Sequence, residues 1–390
     1  MQLGRSLSAV VVSLAAATSA IAADPITIGL VLPMSGQFAE CGKQIERGMR
    51  LYLTANGDTV ANRKIKLIVK DDNPGTAGDV TKRLAQELVV KDNVDLLAGF
   101  CMTPAAMAAA PLATEAKKAM VVMNAGASAV TARSPYVVRV SFTVPQNSAP
   151  MATWASKNNI KKVYTLVADF GPGYDAEAQF KKTFAASGGE ILGEIRVPVK
   201  NPDFSPYLQR IKDAKPDAVF VFLPASAETI AFMKGFSDRG LAQAGIRILA
   251  TGDLTDEAVL DAMGEPAVGA ITSFHYSQFH KSPENDAYTA LYSDTFAENR
   301  PNFYSVAGYD GMRLIADVLK KTGGVTEGEK FIEAAKGMSW NSPRGKVSID
   351  PATRDIVQTV YIRKVEKVGK LLQNVEFDSI ANVADPGKQP

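Results

Sequence analysis

The sequence has only two histidines and two cysteines in 390 residues, and little net charge. His275 and His280 are five apart, not the i,i+4 spacing that sets two ligands on one helix face, so no helical metal site is indicated. Neither a G-x-S-x-G nucleophile elbow nor a G-x-x-x-x-G-K-S/T phosphate loop occurs, which removes two common signatures of catalysis. Asp169-Phe170-Gly171 spells a kinase tripeptide without the rest of that set. The formal charge of +2, or +1 without Arg5, is too small to draw nucleic acid or anionic lipid. Beyond the N-terminal segment, no run reaches the ~18 unbroken apolar residues of a spanning helix. The chain is expected to be no enzyme and to hold no cofactor and no metal.

What is present begins at the N-terminus. In residues 1–23 the only charge is Arg5, an apolar run extends from about Leu7 to Ala17, and Ala20-Ile21-Ala22 offers an A-x-A cleavage site. These are the parts of a secretory signal peptide. A retained anchor is the alternative, but the run is short and polar Asp24-Pro25 follows with no stop-transfer flank. The mature chain then starts near Ala23 or Asp24 and works outside the cytoplasm. There, Cys41 and Cys101 are a candidate disulfide, with two free buried thiols as the alternative. Hydrophobic residues at 46% and charged residues at 22% describe a packed globular protein. The length predicts two domains.

Strand and helix patterns alternate along most of the chain. Buried or alternating runs at 26–32, 64–70, 95–100 and 119–123 predict strands, with helices over 43–53, 79–91 and 104–118 between them. The rhythm restarts with strands at 163–168, 191–196, 218–222 and 246–250 and helices over 175–186, 206–214 and 228–239. Each half reads as an α/β, doubly wound parallel sheet, and ligands of such sheets collect beyond the carboxyl ends of the strands. Asp71-Asp72 at a strand end reads as loop capping, and the basic run 363–367 as a solvated strand edge.

Several segments carry a resemblance: Ile28-Gly29-Leu30-Val31-Leu32-Pro33-Met34-Ser35-Gly36, Lys70-Asp71-Asp72, Ala98-Gly99-Phe100-Cys101-Met102-Thr103-Pro104, Asp169-Phe170-Gly171-Pro172-Gly173-Tyr174, Gly308-Tyr309-Asp310-Gly311, and 342–350. In their order and spacing they resemble the type I periplasmic solute-binding proteins of the branched-chain amino acid (leucine/isoleucine/valine-binding) family, which deliver ligands to ABC importers. The resemblance implies two lobes joined by a three-segment hinge that closes over a ligand. It places 24–142 and 275–345 in an N-terminal lobe, and 143–274 and 346–390 in a C-terminal lobe. It implies a periplasmic location, a membrane permease as partner, a monomer, and no nucleic acid.

The family's ligand loops map onto Phe38 to Cys41, Phe100-Cys101-Met102-Thr103, and Asn124-Ala125-Gly126. The helix start at Thr103 suits a ligand carboxylate, with free N–H groups, the helix dipole and a hydroxyl donor, although Thr103 also reads as an N-cap before Pro104. Small residues after Asn124 permit close backbone approach, or simply a tight turn. On the second lobe the family's amine cradle is thinned. Phe170-Gly171-Pro172 and Pro224-Ala225-Ser226 offer no tyrosine at the expected positions. Asp253 lies within one residue of the family's acidic position, where it could receive an amine or a hydroxyl, or cap the helix from Glu257. The segments 252–257 and 340–345 resemble the branch that binds aromatic acids such as benzoate derivatives. Phe38, Phe100, Phe170 and Tyr276 are its candidate ring walls, or ordinary core aromatics. The ligand expected is therefore a small carboxylate, an aromatic acid ahead of a branched-chain or other amino acid; a sensor subunit of the same fold is a further alternative. The family's strand order brings the loops holding Cys41 and Cys101 together and implies a disulfide between them, provided their Cα atoms lie within ~7 Å.

Overall fold

A computed structural model describes residues 23–297 and 300–388; the signal-peptide reading falls outside the described residues, apart from Ala23. The first sheet is built from β1 (Ala23–Leu32), α1 (Ala39–Asn56), β2 (Thr59–Val60), β3 (Arg63–Asp71), α2 (Gly78–Val90), β4 (Leu96–Gly99), α3 (Thr103–Ala116), β5 (Met120–Val122) and β6 (Val137–Arg139). Its strand order is β2-β3-β1-β4-β5-β6. Ile26, Ile28, Leu30, Val31 and Leu32 are all buried, as expected of a parallel strand covered on both faces.

The chain then passes through α4 (Val144–Lys157) into β7 (Lys162–Ala168), α5 (Gly171–Ala186), β8 (Glu190–Val197), α6 (Ser205–Ala214), β9 (Ala218–Phe222), α7 (Ala227–Asp238), β10 (Arg247–Thr251), α8 (Glu257–Met263) and β11 (Ile271–Phe274). It returns to the first lobe with α9 (Pro283–Thr295), α10 (Phe303–Lys321) and α11 (Gly328–Ala335). The path ends in β12 (Ser339–Ser342), β13 (Gly345–Ile349), β14 (Ile356–Val368) and β15 (Leu371–Val383). The second sheet runs β12-β13-β14-β11-β10-β9-β7-β8, with β15 paired to β14.

Both sheets are mixed, where parallel sheets were expected. The parallel centres match that reading, but β2 and the group β12 to β15 pair antiparallel. Three of these pairs are tight hairpins, turning at Ala61-Asn62, Pro343-Arg344 and Gly369-Lys370, and only antiparallel strands can be joined so closely. The run 363–367 is likewise not a solvated edge: β14 lies between β11 and β15, and Arg363 and Val365 are buried. Arg363 donates to Thr272 Oγ1 at 3.2 Å and to the Tyr276 carbonyl. Asp71 does cap its loop, accepting from Met34 N at 2.8 Å and the Ser35 hydroxyl at 2.7 Å.

Helix α10 belongs to the first lobe because it crosses α1 at two glycines. A Cβ on Gly48 would stand 1.9 Å from Ser305 O, and one on Gly308 would stand 2.1 Å from Ile45 O. Only glycine permits that approach. Where the chain crosses between lobes, buried polar groups fix its path. Arg344 pairs with Asp310 at 2.9 Å and donates to Ser141 O at 2.8 Å, while Arg139 pairs with Asp355 at 2.6 Å. Helices α4 and α10 both start with capping boxes, Thr143 with Gln146 and Asn302 with Ser305. The last described turn is clasped onto this region. Asp385 Oδ1 accepts from the Thr143 and Ser128 hydroxyls at 3.0 and 3.1 Å, and Lys388 Nζ pairs with Asp355 at 2.6 Å.

Candidate functional site

Strand order fixes where the two lobes meet. β1 lies between β3 and β4, and β7 lies between β8 and β9, so each sheet reverses its winding direction there. Loops at the carboxyl ends of such strands splay apart and leave a crevice. The loops after β4 and β5 face those after β7, β9 and β10 across one narrow cavity of about 30 Å³.

Its walls come from both lobes. Cys101, Met102, Thr103, Asn124, Gly126, Phe142 and Val144 stand on one side, with Tyr304 from the start of α10. Phe170, Pro172, Phe222, Pro224 and Asp253 stand on the other. Phe170 and Phe222 stack with ring centroids 6.1 Å apart and planes at 27°. Several contacts hold the lobes together around it. Gln37 Nε2 donates to Val199 O at 3.2 Å, and Ser128 N donates to Asp175 Oδ2 at 3.0 Å. Asn302 Nδ2 donates to Asp256 Oδ1 at 3.0 Å, and Arg300 pairs with Asp261 at 3.0 Å.

Part of the cavity wall is rich in donors. Helix α3 starts at Thr103 and α5 at Gly171, and neither start has a side-chain cap. First-turn N–H groups have no partner within their own helix, so these ends attract an anion. Thr103 Oγ1 accepts from Ala127 N at 3.2 Å, leaving its own hydrogen free to donate. Asn124 Nδ2 donates to Cys101 O at 2.7 Å and ties the two loops together; its Oδ1 is buried without a partner among the described residues.

The second-lobe wall also holds an acid. Asp253 is 5% exposed, and burial pushes its carboxyl up to about 6. Its Oδ2 accepts from the Thr251 hydroxyl at 2.9 Å. It does not cap α8; Asp256 does, accepting from Ala258 N at 3.0 Å. Burial and the neighbouring Glu257 hold the Asp256 carboxyl well above the usual carboxylate range.

Of the residues singled out from sequence, Cys101, Met102, Thr103, Asn124, Gly126, Phe170, Pro224 and Asp253 line this cavity. Ala225 lines a larger neighbouring chamber instead. Cys41 lies behind the wall, bonded to Cys101 with Cα atoms 6.3 Å apart. Phe38, Phe100, Ala125 and Tyr276 are buried in the core and do not line the cavity. Phe100 has φ +63°, a backbone state that directs it into the cluster with Val31, Leu97 and Val122. Ala125 belongs to the same cluster, and its carbonyl accepts from Arg139. The Tyr276 hydroxyl bonds Asn285 Oδ1 at 3.1 Å. Sequence reasoning missed Phe142, Val144, Pro172, Phe222 and Tyr304. Phe222 carried a signal: it is the last residue of β9, and Pro224 follows closely.

A family model described as periplasmic binding protein matches residues 25–370 of this chain. A Leu/Ile/Val-binding protein homolog of Brucella suis is 44% identical over 373 residues, 95% of each chain. A solved solute-binding protein of an ABC transporter from Rhodopseudomonas palustris, in complex with 3,4-dihydroxybenzoic acid, is 53% identical with a TM-score of 0.90. The match covers 94% of this chain and 99% of that one. A second from R. palustris, in complex with 4-hydroxybenzoate, is 43% identical with a TM-score of 0.91 over 94% and 99%.

Proposed function

Because the chain belongs to the periplasmic binding protein family, we propose that it captures an aromatic carboxylate in the periplasm and presents it to the permease of an ABC importer. The observation that carries this reading is the lining of the cavity. It combines donors from two uncapped helix starts and Thr103, the rings of Phe142, Phe170, Phe222 and Tyr304, and the Asp253 carboxyl. That set suits a ligand carboxylate, a flat ring and a ring hydroxyl. The hydroxylated benzoates held by the two R. palustris proteins carry these three groups.

Capture is a change of population rather than a reaction. A 30 Å³ space holds a water or two, so a ring enters with the lobes apart and side chains displaced. The carboxylate docks on the loop and helix start at Cys101 to Thr103, and the Phe170 and Phe222 walls close over the ring. Closure follows to the extent that the ligand binds the closed state more tightly than the open one. Contacts such as Gln37 to Val199 and Asn302 to Asp256 then form across the cleft. The N-terminal segment is the export signal in this reading, so the exported protein begins at Ala23 or Asp24.

Asp253 also favours a second reading, because a buried carboxylate suits the amine of a branched-chain amino acid. A thermal-shift series on stripped, refolded protein separates the two. Ligand at about a hundred times its Kd adds ~2.7 kcal/mol to stability. Stabilisation by benzoates and hydroxybenzoates but not by leucine or valine is expected. Stabilisation by leucine or valine alone overturns the aromatic reading.

A further inference from the structure

Beyond Tyr304 lies a second, larger chamber of about 380 Å³, also walled by both lobes. Tyr304 lines both spaces and so forms the partition between them. Glu40 and Gln44 face the chamber from the first lobe, and Ser226, Asp256 and Glu257 from the second. Asp256 is 1% exposed. Its Oδ1 is fully engaged, by Ala258 N and Asn302 Nδ2, but its Oδ2 is buried with no partner among the described residues. An unpartnered carboxyl oxygen buried in a chamber wall calls for a hydrogen-bonding partner, and a ligand ammonium there would favour its ionised, accepting form.

The surrounding charges set which donor. Helices α1, α7 and α8 begin here, and their N–H ends would draw an anion. Each start carries its own acid in the first turn, Glu40, Glu228 and Glu257, which offsets that pull. Of the nearby cations, Arg300 is paired to Asp261. Arg363 is buried and donates to the oxygens of Thr272, Tyr276 and Gly252 rather than to a carboxylate. A second carboxylate on a ligand ring would therefore stand against Glu40 and Glu257, while Arg300 in the same wall is already engaged by Asp261, Gln278 and the Leu372 carbonyl.

We propose that this chamber is the distal subsite of the same ligand: it receives a hydroxyl or ammonium group that donates to Asp256, and it turns away a second carboxylate. The transported class is then aromatic monocarboxylates with a distal hydrogen-bond donor, including ones longer than a simple hydroxybenzoate. Discrimination comes from a repulsive element as much as from an attractive one. The inference rests on the aromatic-acid reading above.

Calorimetric titration of the mature chain with benzoate, 4-(aminomethyl)benzoate and terephthalate tests it, with leucine as a fourth arm. The last two aromatic probes share a ring and a carboxylate and differ in the sign of the distal charge. 4-(Aminomethyl)benzoate is expected to bind at least about tenfold more tightly than terephthalate. Asp256→Asn keeps a good N-cap, and Glu257→Gln keeps an acceptor for Asn374, so both suit the test. Combined, they are expected to shrink that ratio by about tenfold, with each variant's own benzoate affinity as reference. Terephthalate binding as tightly as benzoate, or a ratio unmoved by the substitutions, overturns the distal subsite alone. Binding of leucine with no response to any aromatic acid overturns the aromatic reading and the subsite with it.

Discussion

The helix starts at α3 and at α8 answer the same physical problem in opposite ways. Each follows a buried parallel strand and a short loop, and each leaves first-turn N–H groups without helical partners. At α3 the N-cap residue is Met102, whose side chain offers no acceptor, and the donors remain for a ligand. At α8 the N-cap is Asp256, whose carboxylate satisfies Ala258 N and turns the same kind of loop into an acceptor. One residue type at one position thus decides whether a strand–loop–helix unit attracts an anion or a donor. The α3 start lines the small cavity and the α8 start the larger chamber beside it.

Three changes would break or sharpen that contrast. The largest effect is expected from Ala225→Trp. Ala225 is half-buried in the wall of the outer chamber, so an indole there props the lobes apart before either end engages. Affinity for every ligand should fall by about a hundredfold, with the fold intact by circular dichroism. Wild-type affinity would place closure elsewhere.

Thr103→Ala acts on the donor groups alone. It removes a hydroxyl that accepts from Ala127 N and has its own hydrogen free. A hydrogen bond to a charged group is worth ~1.5–3 kcal/mol, so carboxylates should weaken by about tenfold or more. Titration with benzoate and with its uncharged amide reads the effect, and only the acid should respond fully. Equal losses for both would remove the anion role.

The smallest effect is a pH dependence at Asp253. Asp253 is raised to about 6 in the folded protein by burial, against about 4 unfolded. The folded state therefore holds its proton more tightly. Its contribution to stability is full below about 4 and is lost as the pH rises through about 6. Asp253→Asn should flatten the decline of Tm over that window by a few degrees. An identical pH profile in the variant would mean that Asp253 titrates normally.

Much of this architecture was legible in the chain because its strands are buried on both faces and read as unbroken apolar runs. Residues 26–32 and 218–222 are such runs, and the structure places strands there. Helix starts were harder. Helix α5 begins at Gly171, four residues before the expected Asp175, because Gly171-Pro172-Gly173 reads as a breaker while proline is well suited to a first turn. The antiparallel β14–β15 hairpin was missed for a related reason: 363–367 was read as a solvated strand edge, and its charges hid that alternate residues of this strand are buried between neighbours. Within the site, the loops after β4 and β5 were found because their small residues and helix start carry a local signal. The aromatic wall was not. Phe142 and Tyr304 lie far apart in sequence and meet only through the return of α10 to the first lobe, which periodicity does not encode. Phe100 shows the converse: it sits in a cleft loop, yet a positive φ turns its ring into the core.

The clasp of Asp385 and Lys388 on Thr143, Ser128 and Asp355 gives the protein a use as a reporter scaffold. A fluorophore or fused reporter joined at this end would be coupled to the crossing segments, and so would sense bending between the lobes. The exposed hairpin tip at Val368-Gly369-Lys370-Leu371 lies within one sheet and would carry a reference label that stays silent when ligand binds. A ratiometric sensor of lobe closure would pair the two.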